Sequence, residues 1–183
     1  MMQRFRLPTW LLAAVAISVG LSQGEQRRAT EDEDTVKVAV LVKLIQFISW
    51  PDSAAIPAGN PATLCVLGKD RWIPLLQHAT QGESLNDRPI SVVRITKARE
   101  ASACQILVVG GATERESLDL WQSWHVLTIG DDDSFGGRTT MVSLSIESGR
   151  TRFKLNLELA EKARVRFSAK LLQLAGVVSR GVE

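Results

Sequence analysis

The sequence predicts an α/β domain, a mostly parallel sheet flanked by helices, with a C-terminal β-hairpin and a terminal helix. Two patterns point to it. Short apolar runs that stop at glycine, Thr63–Leu67 before Gly68 and Gln105–Val109 before Gly110-Gly111, read as buried strands. They alternate with segments of helical spacing, which marks a parallel sheet with helices on its faces. Later the period changes to two. Val142, Leu144 and Ile146 alternate with Ser143 and Ser145, Phe153, Leu155 and Leu157 alternate with Arg152, Lys154 and Asn156, and the turn pair Ser148-Gly149 lies between. That is a hairpin with one buried face. At 183 residues, 45% of them apolar, the chain suits one domain with a substantial core.

The N-terminus reads as a signal peptide over residues 1–22. Arg4 and Arg6 form a short basic region, Trp10–Val19 is apolar but short for a membrane span, and Gly20-Leu21-Ser22 offers small residues at a cleavage point. The alternative is an uncleaved N-terminal anchor. The lack of a cysteine near that point argues against a lipoprotein. Removing Arg4 and Arg6 leaves 20 basic and 20 acidic residues, so no basic field remains for nucleic acid or anionic lipid. Residues 23–34 are polar and aperiodic and read as a flexible lead-in to a domain over 35–183.

The elements follow in order. Residues 35–50 are too long for a typical strand and read as a helix, with Lys43, Gln46 and Trp50 on a narrow polar stripe. Pro51 stops it. Residues 52–62 form a loop rich in Pro and Gly. A helix over 70–80 carries Trp72, Leu75, Leu76 and Ala79 at helical spacing. Residues 82–89 are a loop, 90–95 a strand, 114–122 a short helix and 124–129 a strand. After the hairpin, Glu158–Ala163 is a short helix, with Asn156 as a cap accepting from a free backbone N–H, a ligand contact being the alternative role for this residue. A final helix runs from Ser168 with Leu171, Leu174, Ala175 and Val178 on one face.

The chain carries no specific catalytic, metal or cofactor motif. Gly110-Gly111 lacks the third glycine of a dinucleotide loop, and no lysine-bearing phosphate loop occurs. His78 and His125 lack metal-ligand spacing. Asp131-Asp132-Asp133 with Gly136-Gly137 lacks the alternating ligands of a calcium loop and reads as a solvated acidic loop. The two cysteines, Cys65 and Cys104, most simply form one disulfide in an exported chain, two buried free thiols being the alternative.

The order of five blocks resembles the YfiR family of exported proteins from about Val36 to Val178. The blocks are Phe47-Ile48-Ser49-Trp50-Pro51; Leu64-Cys65-Val66-Leu67-Gly68; Ala103-Cys104-Gln105-Ile106-Leu107; Val126-Leu127-Thr128-Ile129-Gly130-Asp131 with Phe135; and Phe153-Lys154-Leu155-Asn156 with Ser168–Ala175. The resemblance implies a periplasmic α/β domain, a disulfide between Cys65 and Cys104, no catalytic residues and no cofactor. It also implies a regulator that binds the periplasmic part of an inner-membrane signalling protein, a diguanylate cyclase. That points to cyclic-di-GMP and biofilm control, with an outer-membrane lipoprotein as possible antagonist and a homodimer as possible assembly. A periplasmic small-ligand or envelope-accessory module is the alternative. The chain departs from the family at Val42, Lys43 and Leu44, where aromatic residues and an asparagine are usual. It also departs at Thr139-Thr140, where a Gly-Gly pair often stands. Two cysteines exclude the second disulfide of the best-known member.

Overall fold

A computed structural model describes residues 11–51, 56, 59–110, 116–131 and 140–179. The chain divides into two compact units, residues 1–35 and Val36–Glu183. The described part of the first is helical and belongs to helix α1, Leu11–Leu44. Helical backbone therefore covers the polar 23–34 stretch expected as a flexible lead-in. Its mix of Glu, Gln, Arg and Ala favours helix locally even though it offers no apolar face. Among the described residues, no helix is long and apolar enough to cross a membrane.

In the second unit, α1 stops at Leu44 rather than at Trp50. A 3-10 turn follows over Ile45–Phe47, and strand β1, Ile48–Ser49, pairs antiparallel with β9, Arg166–Phe167. The β-branched Ile48 and the proline at 51 both favour this early change to extended backbone.

The main sheet has eight strands in the order β10-β8-β7-β6-β5-β2-β4-β3. These are β2 Ala62–Leu67, β3 Ser84–Leu85, β4 Arg88–Ile95, β5 Ile106–Val109, β6 Leu127–Asp131, β7 Val142–Glu147, β8 Arg150–Asn156 and β10 Val177–Ser179. Strands β4, β2, β5, β6 and β7 run parallel, and β7 and β8 form the expected hairpin. Strand β2 pairs first with β4, and the chain then crosses to place β5 on its other side, so the strand order reverses between β2 and β5. This is a doubly wound sheet. Two strands depart from the sequence reading. The loop expected over 82–89 contains β3, and the terminal helix expected to reach Val178 ends at Leu174, after which Val177–Ser179 pairs parallel with β8. Gly176, whose N–H donates to the Phe153 carbonyl, makes that turn from helix to strand.

Each face of the sheet has its own core. On the first, Leu64, Val66, Ile106, Val108, Leu127, Ile129, Val142, Leu144 and Leu155 are covered by helical residues. These include Leu41 of α1, Leu76 of α2 (Ile73–Ala79), Leu159 of α4 (Leu157–Lys162) and Leu171 of α5 (Ala169–Leu174). On the second, Cys65, Leu107 and Val109 pack with Ala101, Cys104 and Trp121, the last on α3 (Glu116–Ser123). Burying each large aliphatic side chain contributes roughly 1.5–3 kcal/mol. Continuous apolar runs such as ILVV, buried at all four positions, are what a strand covered on both faces requires.

Candidate functional site

Among the described residues, two groups of polar side chains packed against the core bear on function. The first lies where the chain leaves β1 and approaches β9. Ser49, Trp50, Pro51, Glu161, Arg164, Val165 and Arg166 line a pocket of about 550 Å³. Arg164 has a left-handed backbone (φ +56°) that turns the chain from α4 toward β9. The two segments are pinned by the Ser168 N–H donating to the Phe47 carbonyl at 2.9 Å. The Lys170 ammonium lies 5.2 Å from the centre of the Phe47 ring. Trp50 is half-buried, and its Nε1 is buried without a hydrogen-bond partner among the described residues. An aromatic wall and two arginines, with Glu161 beside them, suit a small ligand with an apolar body and an anionic group.

The second is a buried ion cluster at the carboxyl ends of the parallel strands. Asp131, the last residue of β6, is 5% exposed. Lys37 Nζ of α1 donates to its Oδ1 at 2.7 Å, and Lys69 Nζ, just beyond β2, donates to its Oδ2. Both lysines are buried, and the Lys69 ammonium also lies 4.2 Å from the centre of the Trp72 ring, a cation–π contact. Burial pushes the Asp131 carboxyl up, but the hydrogen bonds and charges of Lys37 and Lys69 outweigh it and hold the group below the usual carboxylate range. The solvated acidic loop expected at Asp131 is therefore corrected: its first carboxylate is an interior, doubly paired anion. Asp132, Asp133, Phe135, Gly136, Gly137 and Thr139 lie outside the described residues.

The structure places the other expected residues as follows. Cys65 and Cys104 are bridged, with Cα atoms 5.9 Å apart, joining β2 to the turn that leads into β5. Asn156 caps α4, its side chain accepting from Leu159 N at 3.1 Å, and Ser168 caps α5, accepting from Leu171 N at 3.2 Å. Phe153 belongs to the first core. Phe47, the last residue of the 3-10 turn, and Trp50, beyond β1 and not at a helix end, are half-buried against that core, and Pro51 is half-buried next to Trp50. His125 sits in a turn before β6, not at the strand start, with left-handed backbone and Nδ1 2.8 Å from the Ala163 carbonyl oxygen. Among the described residues no group of three His, Cys, Asp or Glu side chains could hold a metal. Sequence reasoning missed Lys37, Lys69, Arg164 and Arg166. One signal was present for Lys37, a lysine set off the polar stripe of Lys43 and Gln46 among apolar residues of a helix that must be covered on several sides.

Fold and sites together define a disulfide-bridged, doubly wound α/β domain whose polar groups meet at the strand ends and at the β1–β9 edge. This chain belongs to the YfiR/HmsC-like family, whose model matches residues 34–176. The role of that family in general is periplasmic and regulatory, acting with partner proteins and without catalysis of its own. No curated protein matches the chain. Among solved structures it is similar to the ABC domain in complex with L-Trp from Streptococcus pneumonia (10% identity, TM-score 0.53). It is also similar to a conserved domain protein from Vibrio cholerae O1 biovar El Tor strain N16961 (12% identity, TM-score 0.54). In each case 78% of this chain is covered, and the chain spans 60% of the length of the other. At these identities the likeness is one of fold alone.

Proposed function

We propose that this protein is exported through a cleaved signal peptide over residues 1–22. In the periplasm it binds and restrains the periplasmic part of an inner-membrane signalling protein, a diguanylate cyclase. Membership of the YfiR/HmsC-like family over residues 34–176 carries this reading. A domain without catalysis of its own acts by binding, and repression requires preferential binding to one state of the target. The near-neutral mature chain favours an interface of shape and apolar contact over capture of a polyanion. An outer-membrane lipoprotein that competes for this protein would relieve the repression. Deleting the gene in a strain that expresses the cyclase, and measuring cyclic-di-GMP, tests the reading. The expected result is a higher level, more biofilm and less motility, reversed by the intact gene. An unchanged nucleotide level refutes it.

The pocket beside Trp50 favours a second reading, a binding module for a small aromatic carboxylate. The aromatic wall of Trp50 and the pair Arg164 and Arg166 are its basis. Titration calorimetry with benzoate checks it. Binding lost in Arg164→Ala supports the reading, and absence of binding to the intact protein at millimolar concentration removes it.

A further inference from the structure

Doubly wound sheets bind ligands in the crevice outside the carboxyl ends of their strands, where the strand order reverses. Here that place lies above the ends of β2 and β5. The backbone closes it from below. Gly68 follows β2 with φ +72°, and a Cβ there would collide with the Gly110 carbonyl oxygen. A Cβ on Gly110, directly after β5, would come within 2.7 Å of the Lys69 Cβ. Lys69 thus passes over the end of β5, and only glycine beneath it leaves room. Its ammonium reaches Asp131 at the end of β6, the next strand along. Lys37 of α1 meets the other carboxylate oxygen at 2.7 Å. Two buried cations thus converge on one carboxylate beside the place where the strand order reverses.

We propose that the ligand crevice of this sheet is occupied by the protein's own Asp131 carboxylate, held between Lys37 and Lys69 as a bound anion would be. This internal ligand ties the last turns of α1 to the carboxyl edge of the sheet. The crevice is closed to an outside ligand as long as Asp131 is present, and cutting the side chain back turns it into a site for a small carboxylate of matching size.

The test is size-matched chemical rescue in the full chain, read by thermal unfolding at pH 7. Asp131→Ala removes the volume of a formate ion, and Asp131→Gly that of an acetate ion. Each variant is expected to unfold about 10 °C below the parent, the scale for breaking a buried ion pair in a chain of this size. Formate at 0.1 M should raise the melting temperature of Asp131→Ala, and acetate that of Asp131→Gly, by about 4 °C, as a ligand with a dissociation constant of roughly 10 mM would. Chloride at equal ionic strength should not, and propionate, too large for either space, should not. Asp131→Asn fills the space with an amide, so it should lose stability yet gain nothing from either ion. If the truncated variants do not fold unaided, the same ions are compared by refolding yield. Melting temperatures of Asp131→Ala and Asp131→Gly within 2 °C of the parent, rescue equal with chloride, or rescue of Asp131→Asn would each overturn the proposal.

Discussion

Replacing both cysteines with alanine should cost this domain a large part of its stability. The bridge joins residues 39 apart, and on the chain-entropy model closing a loop of that size restrains the unfolded chain by about 3.9 kcal/mol at 25 °C. The native geometry adds little conflict, because the 5.9 Å Cα separation is near the usual value and the bridge links segments the sheet already holds together. Gln105 N donates to the Thr63 carbonyl at 3.0 Å, directly beside it. Each unit of stability moves the melting temperature of a chain this long by about 2–4 °C per kcal/mol, so the double variant should melt about 8–16 °C below the parent. Denaturant unfolding of both proteins gives the free energy directly. A second readout uses burial. Cys65 and Cys104 are 1% and 4% exposed, so a reductant reaches the sulfurs only when the domain opens. Reduction should therefore be slow in buffer and fast in moderate denaturant, at the rate of opening. A double variant within 1 kcal/mol of the parent, or immediate reduction of the folded protein, would refute this account of the bridge.

Three further outcomes follow from other parts of the molecule. Asn156→Ala leaves the Leu159 N–H of α4 without its cap and should cost about 1–2 kcal/mol in urea unfolding; no change would mean that the cap is replaced by solvent. Gly68→Ala forces a left-handed backbone on a residue with a Cβ and drives that atom into the Gly110 carbonyl oxygen. It should cost more than 2 kcal/mol, well above the effect of alanine at Gly149, which has open space around it. Because the folded Asp131 carboxyl ionises below its unfolded value of about 3.9, its stabilisation is complete above that pH and is lost as pH falls through the folded value. Urea unfolding between pH 6 and pH 3 should show a shallower acid loss in Asp131→Asn than in the parent, and parallel curves would refute the sign.

The parts of the fold that were legible in the sequence are those written in local spacing. Glycine-stopped apolar runs located β2 and β5, period-two alternation located the β7–β8 hairpin, Asn156 announced the helix it caps, and helical spacing from Ser168 located the start of the last helix. Short elements held mainly by distant partners were not legible. Strand β1 exists because Ile48 and Ser49 meet Phe167 and Arg166 more than a hundred residues later, and β10 exists because Val177–Ser179 finds an open edge of β8. Neither pair carries enough residues to show a period.

By itself the sequence determined the α/β class, the strands with two buried faces, the one possible intramolecular disulfide and the Asn156 cap. Each of these depends on neighbours along the chain or on a residue type that occurs only twice. Tertiary structure alone decided the charges. Lys37 looks like an interruption of an apolar helix and Asp131 like the first residue of an acidic loop, yet they lie 94 residues apart in sequence and 2.7 Å apart in space. A buried charge is tolerated only when an opposite one reaches it within hydrogen-bonding distance. That distance is set by how α1, β2 and β6 pack, a relation no local pattern of residues contains.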